Sequence, residues 1–527
     1  MKADKVFYNG IIYTMVREGE TAEAVAVYDG KIVAVGSNAE IRNMEAREYI
    51  DLGGKPVIPG MADTHMHLYQ DCMEQDKVSM AEVRSFAEII DTAGEALQGL
   101  SSGKWLLAEN LHMDNLKEGY FPTASVLDQI SKEIPVCIGS YCHHVHILNS
   151  RALEICGIDR NTDDHGKNTI ELDESGNPNG IIRDRAYNEY VESKIPSLAM
   201  EESIEKVDAY LKRCSSIGLT QLHAYQEDNV DGIRMYQELR RKKGLKCRIG
   251  FHFLLDCPNN RGIVSRFGDD MLKLGAAKYL LDGSVGAASC LMYEPFSDQP
   301  DHCGSAAYTQ EELNQAVKEA YDAGHEVAVH AIGDKANDML LTAIENAYNP
   351  EIGWSRPFYM IHGTIISKTF IERAKKLPVI LSVQPIFIRP YVSMVRKRIG
   401  DERLHRCFAF RSMLDAGLLL TAGSDAPVCE KNPFHGIQCA VTRKDLGDNP
   451  EVIAEEQAVT VYEALCMYTK NAAHYLGEEH LKGTIEEGKV ADFVVTDRDV
   501  FKTEPDRIAS IKVLETVLGG EIVFKNN

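Results

Sequence analysis

No Cys-x-x-Cys spacing occurs in this chain of 527 residues, although thirteen cysteines are scattered along it. That absence argues against a thiolate zinc site, and an odd count without paired spacing reads as reduced thiols in a reducing compartment. No run of about 18 apolar residues is present to span a bilayer. The opening residues Met1-Lys2-Ala3-Asp4-Lys5-Val6-Phe7 turn polar at once and lack the continuous apolar stretch of a signal peptide, so the expected compartment is the cytoplasm. Basic residues are outnumbered, 57 Lys and Arg against 79 Asp and Glu. The resulting net charge of −22 is spread over the whole length and opposes binding to nucleic acid or an anionic membrane. The expected partner is a small molecule. Neither an internal repeat nor a low-complexity tract interrupts the chain.

What is present is a regular alternation of apolar runs and amphipathic stretches. Eight candidate strands stand out, at 57–63, 219–224, 247–255, 276–281, 326–331, 358–361, 379–383 and 418–422. Helical spacing lies between most of them, as in Ile204, Val207 and Leu211 before Gly218, or Leu313, Val317 and Ala320 before Gly324. Eight strands joined by helices predict an α/β fold, a (β/α)8 TIM-like barrel. A last helix is expected from the capping box Thr460-Val461-Tyr462-Glu463 to about Gly477.

Both chain ends carry short strands and tight turns instead, including Tyr28-Asp29-Gly30-Lys31 and Leu518-Gly519-Gly520-Glu521. The expected organisation is a small β-sandwich domain from 1–56 and 483–527 beside a barrel at 57–482. The stretch 68–200 is too long for one barrel connection and is read as an insertion after the first strand, over the barrel mouth, with a strand at 136–141 and a hairpin near 173–178.

In this barrel type chemistry lies at the C-terminal ends of the strands. His65 and His67 follow the first run, and in a strand residues i and i+2 share a face, so two imidazoles can converge on one metal ion. His330, His362 and Asp425 close three further runs. Any one of these histidines alone is more often a hydrogen-bonded core residue; their joint placement on strand ends argues for a site. Lys278 lies within the apolar run 276–281, where burial lowers an ammonium's pKa and frees an amine able to take up carbon dioxide. Such a carbamate is an anionic oxygen donor that can bridge two ions. The alternative is a lysine that snorkels to solvent.

At these residues the chain resembles the amidohydrolase superfamily, within it the YtcJ-like branch of metal-dependent hydrolases, over nearly its full length. The carrying motifs are Pro59-Gly60-Met61-Ala62-Asp63-Thr64-His65-Met66-His67, Lys278-Tyr279-Leu280-Leu281-Asp282-Gly283, Val329-His330-Ala331-Ile332-Gly333-Asp334, Ile361-His362-Gly363, Gly423-Ser424-Asp425 and the tail Gly483-Thr484-Ile485-Glu486-Glu487-Gly488. The resemblance implies two divalent metal ions, with His65 and His67 at one, His330 and His362 at the other, carbamylated Lys278 between them, and Asp425 binding the first while handling protons. Zinc suits four imidazoles with carboxylate-type donors, and iron, manganese or cobalt would accept the same ligands.

The implied reaction is hydrolysis of an amide-type carbon–nitrogen bond by hydroxide made on the metal, in an N-acyl or N-substituted formamide compound. Phosphoester hydrolysis uses the same ligands. Deaminases of this fold resemble one another in a glutamate three residues after the fifth-strand histidine, where Gly333 stands here. A non-catalytic metal-binding regulatory protein is the reading from another class, opposed by the complete ligand set. His144, His223, Asp282 and Arg443 are candidate substrate contacts; Gln221-Leu222-His223-Ala224 and Cys142-His143-His144-Val145 depart from the branch's usual pattern. A homodimer is the default assembly for such an enzyme.

Overall fold

The computed structural model describes residues 2–526 apart from 76, 101–102, 141–144, 164–168, 184–185, 197, 226–230, 255–261 and 448–449. Eight parallel strands form one sheet in sequence order: β1 (Met61–Met66), β2 (Leu219–Ala224), β3 (Arg248–Leu254), β4 (Leu272–Leu280), β5 (Val327–Ala331), β6 (Phe358–His362), β7 (Val379–Val383) and β8 (Leu419–Ala422). The sheet curls until β8 meets β1, where the Asp425 amide donates to the His65 carbonyl at 2.7 Å. All residues of β1, β2, β6 and β7 are buried, as expected of strands covered on both faces. Helices Gln310–Asp322, Asp334–Ala347 and Ile388–Ile399 are among those between strands, and the first starts on a complete capping box from Thr309 and Glu312.

The run 57–63, expected to be one strand, is two. Pro56–Pro59 pairs with Ile11–Tyr13 and with Phe493–Thr496, and the barrel strand begins only at Met61. Gly60 makes the break, since a Cβ there would stand 2.3 Å from Thr220 Oγ1. The final helix also stops early: Val461–Tyr468 keeps the capping box, but the chain leaves helical geometry at Thr469 and re-forms as the 3-10 segment Ala472–Gly477. The Asn471 side chain donates to the Leu420 carbonyl at 3.0 Å, which pins that break to β8. Tyr475 is thereby fully buried, its ring stacked on Tyr359 at 4.3 Å.

The two chain ends build two sheets. One has four strands in the order Lys31–Gly36, Ala24–Tyr28, Lys2–Tyr8, Glu45–Asp51; the other has six and joins Glu521–Lys525, Val513–Leu518 and Phe493–Thr496 to Pro56–Pro59, Ile11–Tyr13 and Thr21–Ala22. Phe7, Val25, Val57, Phe493 and Val517 share their core. Asp29 and Gly30, and likewise Gly519 and Gly520, take the positive φ angles that two-residue hairpin turns require.

Residues Cys72–Ser203 form a second compact unit. Its six-stranded sheet runs Ile170–Leu172, Pro178–Arg183, Val145–Leu148, Val136–Ser140, Leu106–Leu111, Val78–Ser79, with Ile89, Leu106, Ile138, Ile147 and Ile181 in the core beneath it. No helix among the described residues is long and apolar enough to cross a membrane.

Candidate metal centre

Six side chains from five strand ends meet at the C-terminal rim of the barrel. His65 and His67 leave the end of β1 on one side, and their Nε2 atoms lie 3.1 and 3.2 Å from Asp425 Oδ1. Donor atoms of His65, His362 and Asp425 all fall within 4.8 Å of one another, and the ring of His330 stands 4.4 Å from that of His362. Asp425 and His362 hold φ angles of 60° and 80°, a left-handed backbone uncommon outside glycine and clustered at functional sites. Asp63 fixes the seam between β1 and β8: its Oδ1 accepts the amides of His65 and Ser424 at 3.1 and 3.0 Å, and its Oδ2 accepts the Ser424 hydroxyl at 2.5 Å.

Burial sets the protonation states. It pushes the imidazoles of His65 and His330 well below their ordinary pKa and that of His362 down to about 3, so all three are neutral and carry a free lone pair. Burial alone would raise the Asp425 carboxyl, but the neighbouring imidazoles of His65, His67 and His362 outweigh it and hold the group well below the usual range.

Hydrogen bonds decide which nitrogen is free. His330 Nε2 lies 3.1 Å from the Gly283 carbonyl, which can only accept, so Nε2 carries the proton and Nδ1 the lone pair. His362 Nδ1 lies 2.7 Å from Gln384 Oε1, so there the free nitrogen is Nε2.

Lys278 is 1% exposed, and its Nζ has no hydrogen-bond partner among the described residues. It sits 4.9 Å over the ring of Tyr225, which in turn packs 4.4 Å from His65. Burial lowers its pKa to about 7 against the opposing charge of Asp425. His65 Nδ1 is likewise buried without a partner. Neutral imidazoles, an ionised carboxylate and a partly deprotonated amine form a donor set suited to divalent cations, and the unpartnered atoms are what a site built for them would show.

A family model described as "Amidohydrolase family" matches residues 48–524. The chain belongs to that family. It is 31% identical to the putative amidohydrolase YtcJ of Bacillus subtilis over 537 residues, covering 100% of both chains. It is also 26% identical to the N-substituted formamide deformylase of Arthrobacter pascens, over 99% of this chain and 98% of that one. Among solved structures, an uncharacterized metal-dependent hydrolase from Pyrococcus horikoshii superposes with a TM-score of 0.81 at 26% identity, covering 95% of this chain and 99% of the other.

The remaining candidate residues of this amidohydrolase are placed differently. Asp282 is not open to a substrate: its carboxylate accepts the amides of Leu291, Ile332 and Gly333 at 2.9, 3.0 and 2.9 Å and ties the loop after β4 to the end of β5. Arg443 is fully buried at the end of helix Pro433–Thr442, where its Nε donates to the Ile453 carbonyl at 3.1 Å. It braces a loop.

His223 is fully buried and belongs to a hydrogen-bonded chain inside the barrel. The Ala276 amide donates to His252 Nδ1 at 2.9 Å, so His252 Nε2 carries the proton and gives it to His223 Nδ1 at 3.0 Å. His223 Nε2 lies 2.7 Å from the side-chain amide nitrogen of Gln221, which closes the chain. Both imidazoles are spent on each other. His144 lies outside the described residues. Sequence reasoning missed Gln384, although a polar residue directly after the apolar run of β7 is the signal that found His330 and His362.

Proposed function

We propose that this amidohydrolase cleaves an amide-type carbon–nitrogen bond of a small molecule, with two divalent ions, zinc first among them, as cofactors. His65 and His67 would hold one ion, His330 Nδ1 and His362 Nε2 the other. Lys278 would join them as a carbamate, formed when its neutral Nζ adds to the carbon of carbon dioxide and releases one proton. Bound there, the ions supply Lewis acidity, lowering the pKa of water and polarising the substrate carbonyl. Asp425 takes the proton of the attacking water on its carboxylate and passes it to the leaving nitrogen. The carboxyl is held below the usual range, so the group is ionised before the proton arrives.

The observation that carries this reading is Lys278, a buried lysine with no hydrogen-bond partner among the described residues, at the barrel rim that also carries His65, His362 and Asp425. The relative whose name states that it acts on N-substituted formamides supports that substrate class, as N-formyl or N-acyl compounds. Deamination is disfavoured at Gly333, where a Cβ would stand 2.0 Å from the Leu291 carbonyl oxygen, so no glutamate fits. The net charge of −22 favours a small molecule over nucleic acid.

The test is metal analysis of the purified protein followed by a panel of N-substituted formamides, N-acyl amines, cyclic amides and phosphoesters at defined zinc, manganese and cobalt loading. Two ions per chain and release of amine from one amide class are expected. A protein that retains no divalent ion, or one that turns over only the phosphoesters, overturns the proposal.

A further inference from the structure

We infer that Gln384 is a positioning residue for the metal centre, holding His362 in the tautomer and orientation that leave its Nε2 free to ligate. The inference rests on the binuclear reading above and extends it to a residue outside the ligand set. Gln384 follows the end of β7 and is 2% exposed. Its Nε2 donates to the Ser382 carbonyl at 2.9 Å, which settles the orientation of the amide, because the opposite orientation would bring two oxygens together. Oε1 therefore faces His362 Nδ1 at 2.7 Å and accepts its proton. The neutral imidazole is then compelled to present its lone pair on Nε2, and a nitrogen of this ring lies within 4.8 Å of donor atoms of His65 and Asp425.

His362 needs such a clamp more than its neighbours do. Its φ of 80° turns the side chain out of the regular strand direction, so strand geometry alone does not aim the ring. Among the described residues His65 Nδ1 has no hydrogen-bond partner, and His330 is held by a main-chain carbonyl. His362 is held through its Nδ1 by a neutral side chain outside the proposed ligand set. The clamp is itself anchored: Ser382 Oγ lies 2.9 Å from Thr64 Oγ1, and Thr64 directly precedes His65. Partners of this kind fix ring orientation and raise ligand basicity, and their loss typically weakens metal binding about 10- to 100-fold.

The experiment compares the purified wild type with Gln384→Leu, which removes the acceptor, Gln384→Asn, which withdraws it, and Gln384→Glu, which keeps an oxygen facing Nδ1. Zinc per chain, zinc affinity by chelator competition and the visible spectrum of the cobalt-loaded protein are measured beside the unfolding temperature of the metal-free form. The Leu and Asn variants should lose about 10- to 100-fold in affinity for the more weakly held ion and show an altered cobalt spectrum. The Glu variant keeps an oxygen toward Nδ1 but sets its second oxygen against the Ser382 carbonyl unless that oxygen is protonated, so it should bind less tightly than the wild type or equal to it, and more tightly than the Leu and Asn variants. Wild-type affinity and spectrum in either removal variant overturn the positioning role while leaving the binuclear reading intact, and so does a Glu variant as weak as the removal variants. A wild type that binds no divalent ion overturns the binuclear reading itself. Should the Leu variant fail to fold, the Asn and Glu pair decides alone.

Discussion

Lys278 and Lys482 are buried lysines of one compact unit, and their surroundings are opposite. The ammonium of Lys482 pairs with Glu478, which also pairs with Lys273. Around them Arg248 reaches Asp492 at 2.6 Å and Asp270 at 2.7 Å, and Arg266 reaches Glu326 at 2.6 Å. These charges sit toward the N-terminal ends of the barrel strands, and each cation has its carboxylate. Lys278, toward the C-terminal ends, has an aromatic ring beneath it and no hydrogen-bond acceptor among the described residues. Burying an unpartnered charge costs several kcal/mol, so Lys482, paired with a carboxylate, reads as a structural brace, whereas Lys278 reads as a place where something else completes the chemistry. The division matches the barrel's general polarity, with stability at one end and reaction at the other.

The largest effect that would test this contrast is expected at Asp425, which supplies the negative charge among the rim histidines. Asp425→Asn should lower turnover of the substrate found in the panel by roughly 10²- to 10⁴-fold, the range for loss of a general acid–base group. Full activity in that variant would remove the functional half of the comparison.

Next in size is Glu478→Gln, which leaves Lys482 and Lys273 without a carboxylate. A stability loss of about 3–5 kcal/mol is expected in chemical denaturation, with metal content unchanged. Burial raises the Glu478 carboxyl, but Lys482 and Lys273 outweigh it and bring its pKa below the ordinary 4.5. A depressed carboxylate pKa contributes stability that is fully present above the unfolded value and is lost as the pH falls through the folded one. The wild type should therefore weaken below about pH 4.5, and the Gln variant should lack that part of the acid slope.

Lys278→Met reverses the pattern. Removing a buried amine without a partner should leave the metal-free protein within about 1 kcal/mol of wild type, or more stable, because an unsatisfied polar group is replaced by an apolar one. Its metal content should fall from two ions per chain to one or none. Two retained ions would reject the bridging role, and a large loss of metal-free stability would show Lys278 to be a brace after all.

The barrel was legible because its strands are continuous apolar runs separated by helical spacing. The limits of β2 and β7 coincide with the expected 219–224 and 379–383. The break at Gly60 was not legible, since Val57–Ile58 and Met61–Ala62 are equally apolar and equally buried, and hydropathy does not register that they belong to different sheets. The six rim residues could be read because a histidine, aspartate or lysine closing or interrupting an apolar run is chemically costly. The same signal also picked out Asp282, His223 and Arg443, which the structure engages by hydrogen bonds with backbone amides, with the ring of His252 and with the Ile453 carbonyl respectively. Gln384 carried the signal too, but a neutral amide is a far less common zinc ligand than imidazole or carboxylate, and its proposed role rests on the two bonds that orient it.

The smallest expected effect separates pairing from burial. Lys318 and Asp322 form an i,i+4 pair at 2.7 Å on helix Gln310–Asp322, with side chains 54% and 57% exposed. Water already solvates both charges, and holding two long side chains together costs rotamer entropy, so Lys318→Ala should change stability by no more than about 0.5 kcal/mol. That small change should vanish in 1 M salt, where screening acts over about 3 Å. If Lys318→Ala instead cost as much as Glu478→Gln, ion pairing as such would stabilise this protein, and the absence of a partner at Lys278 would lose its meaning. An effect confined to a few tenths of a kcal/mol means that charge is consequential here only where solvent is excluded, which is the condition that makes an unpartnered lysine at the barrel rim informative.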